Sequence, residues 1–282
     1  MPCTAMLCRL MRLAWVLLLP LPGVAVLRPA MAAERLVVGA TFHQIFEQGA
    51  DGRWQGMGVE VVRTLAARAG DTVRFQLYPW PRALAMVERG QADILVALYS
   101  TPERQRRYAF FDRPLYSDRL VLYQRRGATH HWQGDLRSLA GQRIAVVRGW
   151  YYGERFEQAR PLFDVSEVAL TENALQMLLH GRVDSVATNA RNSTALISSL
   201  KLDARVQLLC PDIDQLDAYL AFPRTPRFAA ARERYNELFE QMARSGELER
   251  IGARYGVTAG VATGVQRAEQ VAACKAAPPP RR

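Results

Sequence analysis

Apolar and polar positions fall into blocks whose period changes along the chain, and the blocks lay out an α/β order. Glu34 to Ala40 alternates into an apolar strand, and Gly49-Ala50-Asp51-Gly52 reads as a turn. From Gly58 to Ala69 the apolar residues Val59, Val62, Leu65 and Ala66 recur on one helical face, and Gly70-Asp71 ends the run. Thr72 to Tyr78 is a strand, Pro81 to Arg89 a helix stopped by Gly90, and Gln91 to Leu98 the next strand. This β-α-β-α-β series has short connections, which predicts parallel strands with right-handed crossovers. The pattern then repeats. Leu120 to Gln124, Gln142 to Val147, Asp164 to Ala169 and Val183 to Thr188 read as strands, and Gly127 to Leu139 as a polar loop. Helices are expected up to about Ala159, over Thr171 to Leu179, and from about Asn192. Arg205 to Leu209 and Ala218 to Phe222 are further strands, followed by a long helix over Phe228 to Ser245 and a short one over Glu247 to Tyr255. After Gly256 the chain turns to Ala, Gly, Thr and Gln and ends in Pro278-Pro279-Pro280-Arg281-Arg282, a composition that predicts disorder. Two α/β units in series with a cleft between them place a ligand at the carboxyl ends of the strands.

One junction carries most of the chemistry. The apolar run Ile94 to Leu98 ends in Tyr99-Ser100, and Thr101-Pro102-Glu103-Arg104 follows. Thr101 suits an N-cap, Pro102 the first helical position and Glu103 the first turn. Free N–H groups and the positive end of a helix dipole then face an anion together. Arg104, one turn in, adds a guanidinium fork suited to a carboxylate. The residues alone read as a small-anion site, or as an ordinary capped helix.

The ends and the charge narrow the class. Residues 1–32 read as a targeting segment, with Arg9 and Arg12 before an apolar core at Leu13 to Leu19, and Ala30-Met31-Ala32 as a small-x-small cleavage site. Export to the periplasm follows, with Ala33 as the mature N-terminus. The formal charge is +10, and losing Arg9, Arg12 and Arg28 leaves the chain basic. Its basic residues are interspersed with acids, which argues against a nucleic-acid surface and fits attraction of anionic solutes. Of four cysteines, Cys3 and Cys8 leave with the leader, and Cys210 and Cys274 form a candidate disulfide. His43, His130, His131 and His180 are scattered, so no metal site is expected, and no cofactor.

Several ordered fragments resemble the bacterial periplasmic solute-binding proteins of the polar amino-acid type, extracellular solute-binding family 3. They are Leu36-Val37-Val38-Gly39, Gly58-Val59-Glu60-Val61-Val62, Val87-Glu88-Arg89-Gly90-Gln91-Ala92-Asp93, Thr101-Pro102-Glu103-Arg104 and Phe110-Phe111-Asp112-Arg113-Pro114-Leu115-Tyr116. Leu139 to Val146 and His180 to Val186 continue the order, so the resemblance spans about Arg35 to Gly256. It implies a two-lobed Venus-flytrap: two doubly wound mixed sheets joined by a two-strand hinge. Lobe one would comprise 33–115 plus 218–258, lobe two 116–217, and 259–282 a tail. The crossings would lie near Leu115–Ser117 and Asp217–Leu220. The resemblance also implies that Arg104 clamps a ligand carboxylate, that Tyr99, Ser100 and Thr101 assist, that Trp80 packs on the ligand, and that Gly149 opens the second lobe's contribution.

The departures from that family pattern bear on the ligand. The lobe-two carboxylate that would hold an α-ammonium falls at about Asn189, which is neutral. Trp150, with Tyr151 and Tyr152 behind it, stands where a small hydroxyl residue is usual. Arg82, near Trp80, is a second candidate cation. A site with arginines, aromatics and no acid suits an anionic or aromatic ligand better than a zwitterion. The expected function is binding of an amino acid or small organic acid for delivery to an ABC importer in the inner membrane, by a monomer that does no chemistry. Two alternatives remain: a sensory receptor without transport, and an enzyme resembling cyclohexadienyl or arogenate dehydratases. The enzyme requires an acid in the cleft, for which Glu154 and Glu172 are the candidates.

Overall fold

The computed structural model describes residues 32–128 and 132–260. The leader, His130 and His131, the tail beyond Gly260, and Cys274 of the expected disulfide lie outside the described residues; Cys210 itself is disulfide-bonded.

The elements follow in order as β1 (Glu34–Gly39), β2 (Glu47–Gln48), β3 (Trp54–Gln55), α1 (Met57–Ala69), β4 (Thr72–Leu77), α2 (Trp80–Glu88), β5 (Ile94–Tyr99), α3 (Pro102–Arg107), β6 (Tyr108–Phe110) and β7 (Tyr116–Arg125). They continue as β8 (Arg143–Val147), α4 (Glu154–Ala159), β9 (Asp164–Val168), α5 (Thr171–Leu179), β10 (Ser185–Asn189), α6 (Ala190–Ser199), β11 (Val206–Pro223), α7 (Ala229–Arg244) and α8 (Glu247–Arg254). The local causes match the sequence patterns. Helix α1 buries Val59, Val62, Leu65 and Ala66, and Gly70 ends it at φ 74°, returning its N–H to Ala67 O and Ala66 O. Strand β5 is buried along its whole length, as a continuous apolar run in a covered parallel sheet should be.

The strand order is β4-β1-β5-β11-β7-β10-β8-β9, with β6 on β11. On one side β1 pairs in parallel with β4 and β5. On the other, β8 pairs in parallel with β9 and β10. Between them lie β11 and β7, antiparallel to each other and to their outer neighbours. Each parallel set is the sheet of one half, and the two central strands carry hydrogen bonding from one to the other. Their shared segment pairs Tyr116–Leu120 with Asp214–Ala218, beyond a register break between Leu209 and Asp214. A mixed α/β fold with two sheets joined by two strands is therefore observed.

Three local readings change. The two strands expected at 205–209 and 218–222 are one strand, β11. Strand β7 starts at Tyr116, four residues before the expected Leu120. Helix α3 has six residues and gives way at once to β6, which the pattern did not reveal. All three corrections lie at or beside the central strands. Cross-strand pairing there sets conformation against weak local periodicity.

Candidate functional site

The carboxyl ends of the parallel strands in both halves face one cleft. Phe42, Trp80, Ala97, Tyr99, Arg104, Tyr116, Asp118, Trp150, Tyr151 and Asn189 line it, around a space of about 280 Å³ that includes its opening to solvent. The side chains meet so closely that roughly one water fits between them.

Arg104 projects from α3 into the cleft. Thr101 caps that helix as expected, its Oγ1 accepting from Arg104 N at 3.1 Å. Six residues make only a weak dipole, and the cap already occupies one N–H. The anion-binding capacity therefore rests on the guanidinium. Arg104 donates from Nη1 to Tyr99 O at 3.1 Å and from Nη2 to Gly149 O at 3.0 Å. Among the described residues it has no carboxylate partner, and burial lowers its pKa from the ordinary arginine value. A guanidinium carries five N–H donors, so donors remain for a ligand.

Gly149 O also accepts from Trp80 Nε1, at 3.2 Å. Two bonds from the first half thus end on one carbonyl of the second, beyond the strand β8. Aromatic contacts close the same seam: Phe42 meets Trp80 edge-on at 5.3 Å and Trp150 at 6.2 Å. Gly149 sits at φ 77°, a left-handed conformation in which a side chain would be strained.

The cleft also holds a cluster that the sequence did not disclose. Asp118, on β7, is buried, and Arg191, in the first turn of α6, points at it. Arg191 Nε donates to Asp118 Oδ1 at 3.1 Å and Nη2 to Oδ2 at 2.9 Å, with side-chain exposures of 11% and 4%. Tyr99 OH donates to Asp118 Oδ2 at 2.7 Å. Arg191 also donates to Tyr116 OH at 3.2 Å, to Asn192 Oδ1 at 3.1 Å and to His43 O, and its guanidinium lies over the Tyr116 ring. Burial opposes the Arg191 charge, but Asp118 outweighs it and raises the pKa above the ordinary arginine value. Burial, then the Asp118 charge, push the Tyr99 phenol well above its usual pKa, so it stays a neutral donor. His43 N donates to Asn192 Oδ1 at 2.8 Å, a second link between the halves.

Strand β5 reaches this site through an irregularity. Its pairing with β11 shifts between Tyr219 and Ala221, and Ala97 takes φ 70°. The extra residue forms a bulge, which turns the end of β5 and re-aims Tyr99 at the cleft.

Of the residues singled out from sequence, Arg104, Tyr99, Trp80, Trp150, Tyr151 and Asn189 line the space, and Gly149 borders it. Asn189 caps α6, its Oδ1 accepting from Asn192 N at 3.0 Å. Ser100 and Thr101 do not line it: Ser100 Oγ accepts from Gln105 Nε2, and Thr101 is the cap. Arg82 is exposed, with its guanidinium 4.6 Å from the centre of the Tyr78 ring, and turns away. Glu154 and Glu172 are exposed and outside the cleft. The site expected to lack an acid contains one, Asp118. Nothing distinguished Asp118 or Arg191 locally, since each lies in a polar stretch next to a residue of more obvious interest.

Comparison with known proteins decides the family. Residues 36–258 match the model of the bacterial extracellular solute-binding proteins, family 3. The chain belongs to this family. It is 26% identical over 147 residues to the virulence sensor protein BvgS of Bordetella pertussis, a match covering 52% of this chain and 12% of that relative. The fold resembles a histidine kinase sensor domain with similarity to periplasmic binding proteins (TM-score 0.72, 21% identity, 80% of this chain and 97% of that one). It also resembles an ancestral arginine-binding protein bound to glutamine (TM-score 0.69, 19% identity, 80% and 98%). No helix among the described residues is long and apolar enough to cross a membrane.

Proposed function

We propose that this protein is an exported receptor that binds a small carboxylate-bearing solute between two lobes, 33–115 plus 218–258 and 116–217. The observation that carries this reading is Arg104: a cleft-lining guanidinium held only by backbone carbonyls, with no carboxylate among the described residues to balance it. Arriving solute exchanges the Gly149 carbonyl for a carboxylate, which replaces one neutral acceptor by a counter-charge able to take two parallel bonds from the guanidinium. Because the closed cleft has no room for such a solute, binding requires the Trp80–Gly149 and Arg104–Gly149 contacts to part. The ribbon of β7 and β11 is the hinge on which they do so.

The receptor hands its state or its cargo to a membrane partner, either an importer or a sensor. Family membership supports the importer, and the match to a virulence sensor supports the sensor. Catalysis is not part of the proposal. Asp118, the acid lining the cleft, has both carboxylate oxygens engaged by the Arg191 guanidinium and the Tyr99 phenol, so neither is presented to a substrate.

The test is calorimetric titration of the protein from Ala33 onward with small carboxylates, beside the Arg104→Met variant. The reading predicts binding that the substitution weakens at least tenfold. Binding of no carboxylate would refute it. Conversion of prephenate would refute the non-catalytic part.

A further inference from the structure

The cleft's hydrogen-bond inventory is one-sided. The acceptors of its carboxylate, its seam carbonyls and Asn189 are already used within the protein. Gly149 O accepts twice, from Trp80 Nε1 and Arg104 Nη2. Tyr99 O accepts from Arg104 Nη1. Asn189 Oδ1 accepts from the backbone of α6. Asp118 accepts from Arg191 twice and from Tyr99 OH, and its charge is balanced by that guanidinium. What the cleft still offers is donors, chiefly the remaining N–H groups of Arg104 and the Asn189 amide. The ion pairs point the same way: Asp118 is paired with Arg191, and Arg104 has no carboxylate hydrogen-bonded to it among the described residues.

We propose that the Arg191–Asp118 pair sets specificity, by occupying from within the acid that an α-ammonium would need, so that the site selects small carboxylates without an amino group over the matching amino acids. This rests on the reading of the cleft as a carboxylate-binding site. A zwitterion that docks its carboxylate on Arg104 brings an ammonium into a closed space whose one lining acid, Asp118, is already paired with Arg191. Burying a charge without a partner is costly. The aromatic walls offset little of that cost, because a cation over a ring gains less than a buried charge without a partner loses. An amino-free acid loses nothing by the same closure, and its chain packs against Trp80 and Trp150.

Matched pairs test this directly: propionate with alanine, glutarate with glutamate, and 3-phenylpropionate with phenylalanine, each titrated by calorimetry into the protein from Ala33 onward. The expected result is that, in every pair that binds, the amino-free member binds at least tenfold more tightly. A pair in which the amino acid binds equally or better overturns the specificity claim while leaving a carboxylate-binding receptor in place. Binding of no member removes the carboxylate-binding reading and this claim with it. A gain of function gives the second arm. Asn189→Asp retains a capping side chain and adds a carboxylate at the cleft wall that Arg191 does not engage. It should shift the ratio at least tenfold toward the amino acid, and an unchanged ratio would contradict the proposal even where the wild-type preference is seen.

Discussion

Two arginines, one lining this cleft and one paired with the acid that lines it, are held differently. Arg191, in the second half, engages all three nitrogens: a buried carboxylate, a phenol, an amide oxygen and the His43 carbonyl. Arg104, in the first half, has two backbone carbonyls and no hydrogen-bonded carboxylate among the described residues. A guanidinium satisfied on every side is part of the architecture, and its removal is felt by the fold. One that is half-buried and under-satisfied is kept for a partner that comes and goes, and its removal is felt by the ligand.

The largest expected effect breaks the satisfied side. Arg191→Met strands the Asp118 charge, and losing one member of a buried pair costs about 3–5 kcal/mol; urea unfolding should show that loss, and a change below about 1 kcal/mol would show that the cluster is not structural. Arg104→Met should act in the opposite sense. Stability stays within about 0.5 kcal/mol, because two carbonyls return to neighbours or water, while carboxylate affinity falls by about 1.5–3 kcal/mol. Next comes the strained position on the Arg104 side. Ala97 at φ 70° leaves no tolerance for a branched side chain, so Ala97→Val should cost about 1–3 kcal/mol in the same unfolding measurement. The two caps give a smaller contrast. Asn189→Ala uncaps the ten-residue α6 at a cost of about 1 kcal/mol, while Thr101→Ala, capping a six-residue helix, should cost less. Arg82→Ala should leave carboxylate affinity unchanged, since its guanidinium lies over Tyr78 outside the cleft.

The sequence made the outer parts of each half readable and the join between them hard to read. Helix α1 and strand β5 announce themselves, one by a 3.6-residue stripe ended by Gly70, the other by an unbroken apolar run. The capped turn at Thr101 points to Arg104 because N-cap chemistry is local. Strand β11 does not read as one strand: its middle, Asp212 to Asp217, carries three acids and breaks alternation at Asp214-Gln215, and from Asp214 onward it is held by pairing with β7. Asp118 and Arg191 were missed for the same reason. They are 73 residues apart, and only the β7–β10 pairing with α6 folded behind it brings them together. Serine and threonine at 100 and 101 drew attention by type, yet their hydroxyls serve α3. Arg82 was placed by its nearness to Trp80 in sequence, and two helical positions carry it to the outer face.

The most direct test of the account is calorimetric titration of the protein from Ala33 onward with the carboxylate panel, wild type beside Arg104→Met. The account predicts a carboxylate that binds the wild type and loses at least tenfold in affinity in the variant, while the unfolding midpoint stays put. Carboxylate binding that survives the substitution unchanged would contradict it.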